Sequence, residues 1–254
     1  HLLYYKWFTL RFVQKAKTIA TVSNFSKTDI LIKYKIAPQK VSVVYSAAKD
    51  VFKPIDYEAQ QVIKDKFTGG REYLIYVGAI QPRKNLLNLL KAYSLFKKRL
   101  KTEMKLVFAG RMAWKNDQLL ELLNTYKHKD DVVLTGYLDE NELSALVASA
   151  YGLVYPSVFE GFGVPVLEAM QCHVPVLTSE NTSMQEIAED AALYFDPNNI
   201  SDIADKLMII YKDEDLRKKL IEKGKLISKK YSWQNTADLL WDCMQKAIDG
   251  KEKI

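Results

Sequence analysis

The chain has 254 residues, 48% of them hydrophobic, and a net charge of +6, enough for one substantial core or two modest ones and without an apolar run that approaches a membrane span. Its two cysteines, Cys172 and Cys243, offer neither a disulfide framework nor the ligand spacing of a zinc site, so a reducing cytoplasm is the expected setting and no metal is expected. The modest positive charge suits an anionic ligand or an anionic membrane surface, whereas nucleic acid would call for a denser basic stripe with interleaved aromatics.

Residues 1 to 20, HLLYYKWFTLRFVQKAKTIA, set aromatic and apolar residues at helical spacing, with Lys6, Arg11, Lys15 and Lys17 among them. Such a helix either covers a core or lies peripherally on a membrane interface. No strand, cap or linker precedes His1, which predicts that an upstream portion belongs before it. Ser23 or Asn24, with Ser26 and Asp29, supplies capping chemistry for a helix to about Tyr34. Val41 to Val44 reads as a strand, Asp50 to Pro54 as a linker, and residues 56 to 67 as a short helix ending at Gly69-Gly70.

From Glu72 onward strands and helices alternate. Strand Tyr73 to Val77 leads to a helix from about Asn85 to Leu100, and strand Lys105 to Ala109 to one from about Asn116 to Tyr126. Strand Val132 to Thr135 precedes a helix from about Glu140 to Ala150. Further strands follow at Leu153 to Tyr155, Pro175 to Thr178 and Ala192 to Phe195, with a helix capped by Ser183 and carrying Glu186 before the last. The alternation predicts an α/β fold with a doubly wound parallel sheet. Gly78, Gly110, Gly136 and Pro156 close strands at their carboxyl ends, the edge where such sheets bind ligands. Residues 201 to 230 read as two charged helices with solvated faces. In the last helix Ser232 is a cap, and Trp233, Ala237, Leu240, Trp241, Met244 and Ile248 repeat on one face that needs a large partner surface.

The stretch Tyr151 to His173, YGLVYPSVFEGFGVPVLEAMQCH, joins a short strand to a helix through a glycine turn. Pro165 suits a first helical turn, since its φ is fixed and its missing N–H is not needed there. Free backbone donors and the helix dipole make such a turn a phosphate site. Glu160 lies in the loop and Glu168 about one turn into the helix, so they serve different parts of one ligand. A carboxylate beside an anion site is suited to accept from neutral hydroxyls, and phosphate plus hydroxyls suggests a nucleotide sugar. Taken singly, either glutamate is better read as a loop residue or a first-turn residue favoured by the helix dipole. Only together with the glycines does the balance shift to a ligand site. In GAIQPRKN, Arg83 and Lys84 stand at a helix entrance and are either an exposed basic pair or the cations that neutralise a diphosphate. His128 and His173 have no partner at a useful spacing, and His1 stands at the chain edge.

The segment EGFGVPVLE, Glu160 and Glu168 with seven residues between, resembles the E-x7-E motif of retaining glycosyltransferases of the GT-B fold, in the group 1 or family 4 lineage. The likeness extends through YVGAIQPRKN, VFAGRMAW and the closing YSW helix and so covers nearly the whole chain. It implies that residues 1–49 end an incomplete acceptor-binding domain and linker. Residues 50–231 would form a Rossmann-like, nucleotide-sugar-binding domain, and 232–254 a helix crossing back to the N-terminal domain. It also implies hexose transfer with retention, without a cofactor or obligatory metal, to a saccharide or lipid-linked acceptor in bacterial polysaccharide or glycolipid assembly. The PRKN and AGRMAW neighbourhoods resemble mannosyltransferase members that use GDP-mannose.

By residue, the resemblance implies that Glu160 bonds the transferred sugar and that backbone groups of the Gly161 turn, at Phe162, Gly163 and Val164, contact sugar and phosphate. Lys84 would contact the diphosphate, Glu168 the ribose hydroxyls, and Gly110, Arg111, Tyr137 and Leu138 the base, near Gly78. Many members carry an arginine directly after the strand glycine. Ala79 stands there instead, so that Arg83 substitutes for it or catalysis rests more heavily on Lys84. Alternatives are a nucleotide-sugar-binding module without turnover, which the stretch alone is expected to be, and another GT-B enzyme such as an epimerase. A two-carboxylate hydrolase is disfavoured, because Glu168 sits beside the ribose position rather than opposite Glu160.

Overall fold

The computed structural model describes residues 2–113, 117–180 and 182–249, and the chain divides into two packing units, one of residues 1–47 with 231–254 and one of residues 48–230. The first opens with α1 (Leu2–Lys15). This helix stops short of the span that apolar spacing predicts, because the following residues are drawn into a strand, β1 (Ile19–Thr21). Three residues carry too little pattern to announce a strand. Trp7, Leu10 and Phe12 on α1 are exposed, with the Arg11 guanidinium 4.2 Å from the Trp7 ring centroid. Next comes α2 (Asn24–Tyr34), whose cap is Ser23, accepting from Ser26 N–H at 3.0 Å. Then β2 (Val41–Val43) pairs parallel with β1, Ile19 opposite Val41 and Thr21 opposite Val43.

The second unit begins with α3 (Tyr57–Thr68), started by the Asp56 carboxylate and ended by Gly69 at φ 61°. The elements then alternate: β3 (Tyr73–Val77), α4 (Leu86–Leu100), β4 (Lys105–Ala109), α5 (Asp117–Thr125), β5 (Val132–Gly136), α6 (Glu140–Ala148), β6 (Gly152–Tyr155), α7 (Val164–Gln171), β7 (Val176–Ser179), α8 (Ser183–Ala188), β8 (Ala192–Phe195), α9 (Ile200–Lys212) and α10 (Glu214–Ser228). The predicted helix start at Asn116, Trp114 of the VFAGRMAW stretch, and His1 lie outside the described residues.

Six strands form one all-parallel sheet in the order β5-β4-β3-β6-β7-β8. Every residue of β3, β6 and β7 is buried, as a sheet covered by helices on both faces requires. The order reverses between β3 and β6, and in doubly wound sheets that point opens a crevice at the carboxyl ends of the strands. The charged helices are less uniformly solvated than their composition suggests. On α10, Leu220, Gly224, Ile227 and Ser228 are buried, and a Cβ on Gly224 would lie 3.1 Å from Met170 of α7. Glycine thus lets α10 lie close behind α7.

Ser183 does not cap α8. Thr182 does, accepting from Met184 N–H at 3.2 Å, and Ser183 is turned inward to another task. The last helix, α11 (Trp233–Asp249), returns to the first unit. Ser232 Oγ accepts from Asn235 N–H at 3.1 Å, and the Thr236 hydroxyl donates to the Tyr45 carbonyl at 2.7 Å. Trp233, Leu240, Trp241, Met244 and Ile248 remain exposed. Among the described residues no helix is long and apolar enough to cross a membrane.

Candidate active site

The two loops that flank the reversal point carry the charged residues singled out above. After β3 the chain passes Gly78 into a tight turn, Pro82 to Lys84, which Asn85 ends at φ 60° to launch α4. After β6 it passes Pro156 to Glu160. The loops are tied by Val158 N–H donating to the Arg83 carbonyl at 3.0 Å. Lys84 Nζ donates to Glu160 Oε1 at 2.5 Å and to the Tyr155 hydroxyl at 2.7 Å, and lies 4.7 Å from the Tyr155 ring centroid. Arg83 donates to the same Glu160 oxygen at 2.7 Å and to the Phe159 carbonyl at 3.0 Å.

Lys84 and Glu160 are only 5% and 7% exposed. Each charge there depends on its partner, because an unpaired ion of this burial is costly. Burial pushes the Lys84 ammonium below its ordinary pKa while Glu160 opposes the shift. Burial also raises the Tyr155 and Tyr76 phenols, so both rings are neutral. They stack with centroids 6.1 Å apart, and the Tyr155 ring of the pair lies against the ammonium. The structure therefore joins Arg83, Lys84 and Glu160 into one cluster, where the sequence offered two cations and a separate carboxylate.

The glycine turn leads from Glu160 into α7. Gly163 caps the helix at φ 102° with no side-chain bond, and a Cβ there would lie 2.4 Å from Met184 Cε. Glycine is needed both for the backbone and for the space. Val166 N–H donates to the Gly163 carbonyl at 2.9 Å and Pro165 has no N–H, which leaves Val164 as a first-turn donor without an intrahelical acceptor. Phe162 is buried. Ser183 Oγ lies 2.8 Å from the Glu160 carbonyl oxygen and 3.1 Å from that of Phe162. That is the task for which it turns inward, and it fixes the loop backbone around Gly161.

Glu168 stands on α7, half-buried. Burial pushes its carboxyl up to about 7, with Lys49 opposing and Glu140 adding to the shift. No hydrogen bond reaches this carboxylate among the described residues, so it remains an acceptor for hydroxyls. Lys49 itself pairs with Glu140.

On the other side of β3 the carboxyl ends of β3, β4 and β5 enclose a crevice of about 250 Å³, lined by Gly78, Ala79, Gly110, Arg111, Tyr137 and Leu138 among others. Gly78 and Gly110 touch through backbone: Gly78 N–H donates to the Ala109 carbonyl at 2.9 Å, and a Cβ on Gly110, at φ 148°, would lie 2.2 Å from the Gly78 oxygen. Tyr137 is not packed away, with 81% of its surface exposed, and its ring is available to a planar ligand.

Sequence reasoning passed over Tyr155, Ser183 as a loop anchor, Met184 and Lys49. Only Tyr155 left a signal, an aromatic with a polar tip at the last position of a strand that opens on the site. Among the described residues no group of three potential metal ligands occurs.

Three comparisons bear on this arrangement. The family model "Glycosyl transferases group 1" matches residues 58–227. O-antigen chain mannosyltransferase B of Escherichia coli is 33% identical over 224 residues, covering 88% of this chain and 59% of that protein. The O-antigen chain mannosyltransferase RfbU of Salmonella typhimurium is 29% identical over 200 residues, covering 78% of this chain and 52% of that one. The chain thus spans between half and two thirds of the length of these relatives. Among solved structures, a glycosyltransferase of Rickettsia africae superposes with a TM-score of 0.81 at 20% identity, over 98% of this chain and 68% of that one. Anabaena HepE in complex with UDP and glucose gives 0.82 at 14% identity, over 93% and 66%. These share the GT-B fold with the present chain.

Proposed function

The chain belongs to the group 1 family of glycosyl transferases, and from that premise we propose that it binds a nucleoside diphosphate sugar and serves transfer of the hexose, with retention, to a saccharide or lipid-linked acceptor. The observation that carries the reading is the meeting of Lys84 and Arg83 with Glu160 at the point of strand reversal, on one sheet edge with Glu168 and the Tyr137 crevice. Mannose is favoured, with GDP-mannose as donor, because the relatives near 30% identity are O-antigen mannosyltransferases. The same relatives support a role in assembly of a bacterial surface polysaccharide, and two free cysteines suit a cytoplasmic setting.

The residues divide the work by chemistry. The crevice takes the base, with Tyr137 against its face and Arg111 and Leu138 at its edge. Glu168, an open acceptor, takes the ribose hydroxyls. The Gly161–Val164 turn, the start of α7 and the two cations take the diphosphate, and Glu160 accepts from the transferred hexose. As the bond from the anomeric carbon to phosphate breaks, positive charge grows on the sugar ring and negative charge on the leaving diphosphate. Lys84, Arg83 and the backbone donors stabilise the latter. Retention then requires the acceptor hydroxyl to approach on the face the diphosphate leaves. On this reading the chain's own cations and donors suffice, and transfer persists in EDTA.

Calorimetric titration with GDP, UDP, GDP-mannose and UDP-glucose tests the donor site. One base should be selected, and Lys84→Ala and Glu168→Ala should each weaken binding by about tenfold or more. A folded protein that binds none of the four refutes the reading.

A further inference from the structure

The cations that a donor diphosphate needs already hold an anion. Lys84 Nζ and Arg83 both donate to Oε1 of Glu160, at 2.5 and 2.7 Å, and the ammonium gives a second donor to the Tyr155 hydroxyl at 2.7 Å. Because Lys84 is so little exposed, a phosphate oxygen reaches it only by taking a place that the carboxylate now fills. A diphosphate set beside a stationary Glu160 would also face a like charge at close range in a poorly solvated site. One movement removes both obstacles, a turn of the Glu160 side chain off the cations. The loop need not follow, because its backbone is pinned by the Ser183 hydroxyl at the Glu160 carbonyl (2.8 Å) and by Val158 N–H on the Arg83 carbonyl (3.0 Å).

We propose that Glu160 is an internal counter-anion that the donor's diphosphate displaces from Lys84 and Arg83, so that donor binding is an anion exchange. The proposal rests on the donor-site reading above. It gives the carboxylate two positions: one on the cations, as observed, and one on hydroxyls of the transferred hexose once the donor binds. Tyr155 holds Lys84 in both, since a neutral phenol does not compete with phosphate for charge. A nucleoside diphosphate without its sugar takes the cations but offers the displaced carboxylate no hydroxyl, and so it binds at a disadvantage to the intact donor. After transfer the same disadvantage falls on the product, and the return of Glu160 to Lys84 helps to expel it.

The test is calorimetric titration of the protein, Glu160→Gln and Glu160→Asp with GDP, UDP, GDP-mannose and UDP-glucose. For the base that the wild type selects, Glu160→Gln should tighten the nucleoside diphosphate by about tenfold and the intact nucleotide sugar by less, so that discrimination between them narrows. Glu160→Asp keeps the buried charge, and with it the fold, but draws the carboxylate back by one methylene. It should shift the nucleoside diphosphate in the same direction by about threefold. Nucleoside diphosphate affinity that is unchanged or weakened in both variants would overturn the exchange and make Glu160 a fixed structural partner. Equal tightening of nucleoside diphosphate and nucleotide sugar would overturn the second position of the carboxylate. Binding of no nucleotide by the wild type would instead bring down the donor-site reading, and the exchange with it.

Discussion

The two halves of the site are prepared in opposite ways. On the β4–β5 side the crevice is made by backbone: Gly78 and Gly110 in contact, and a tyrosine ring left in solvent. On the β6 side Lys84 and Glu160 are buried and paired, with the more exposed Arg83 on the same carboxylate oxygen. The first half is open and shaped by backbone contact, and a flat ligand enters it with no charge pair to part. The second is held by its matched charges, and on the exchange proposed above a ligand enters by changing the match. Shape can be stored in glycine and carbon, whereas stored charge requires a partner.

Three measurements break or sharpen that contrast. The largest effect is expected from Gly110→Ala, whose Cβ would lie 2.2 Å from the Gly78 oxygen. Urea unfolding should show a loss of roughly 3 kcal/mol, with nucleotide binding lost as the crevice closes. Next comes the pH dependence of Glu168, whose carboxyl burial raises to about 7. The folded state holds this proton more tightly than the unfolded chain does. The contribution is therefore full at pH below about 4.5, falls as pH rises toward 7, and changes no further above it, a span of up to about 3 kcal/mol. Glu168→Gln should flatten the stability curve across that window. If the curve is flat in the wild type, the carboxyl is better solvated than its place on α7 implies. The smallest effect is expected from Tyr137→Ala. Exposed as the ring is, its loss should leave the melting temperature in place and weaken nucleotide binding by about tenfold, the loss of one stacked base.

The fold was legible because its signals are local. The run Tyr73 to Val77, the capping chemistry at Ser23 or Asn24, and glycine at strand ends are each decided within a few residues. The glutamates and the basic pair were legible as types at a spacing. Their pairing was not, because Lys84 and Glu160 meet only after two strands distant in sequence lie side by side. Ser183 was misjudged for a related reason: a serine before a helix reads as a cap unless a buried carbonyl from another loop claims its hydroxyl first. The strand at Ile19–Thr21 is too short to stand out without its partner at Val41–Val43.

The parallel order of the sheet also sets when the site can exist during folding. Leu74 pairs with Gly152 and Ile75 with Leu153, so three strands and their helices separate the two loops that carry Lys84 and Glu160. Closing so long a span is entropically slow, while helices such as α9 and α10 draw on neighbouring residues alone. Until that central pair of strands closes, the lysine and the glutamate are solvated strangers. Recovery of nucleotide binding in a refolding experiment is then a clock for the last large step of the sheet, running behind the return of helical circular dichroism.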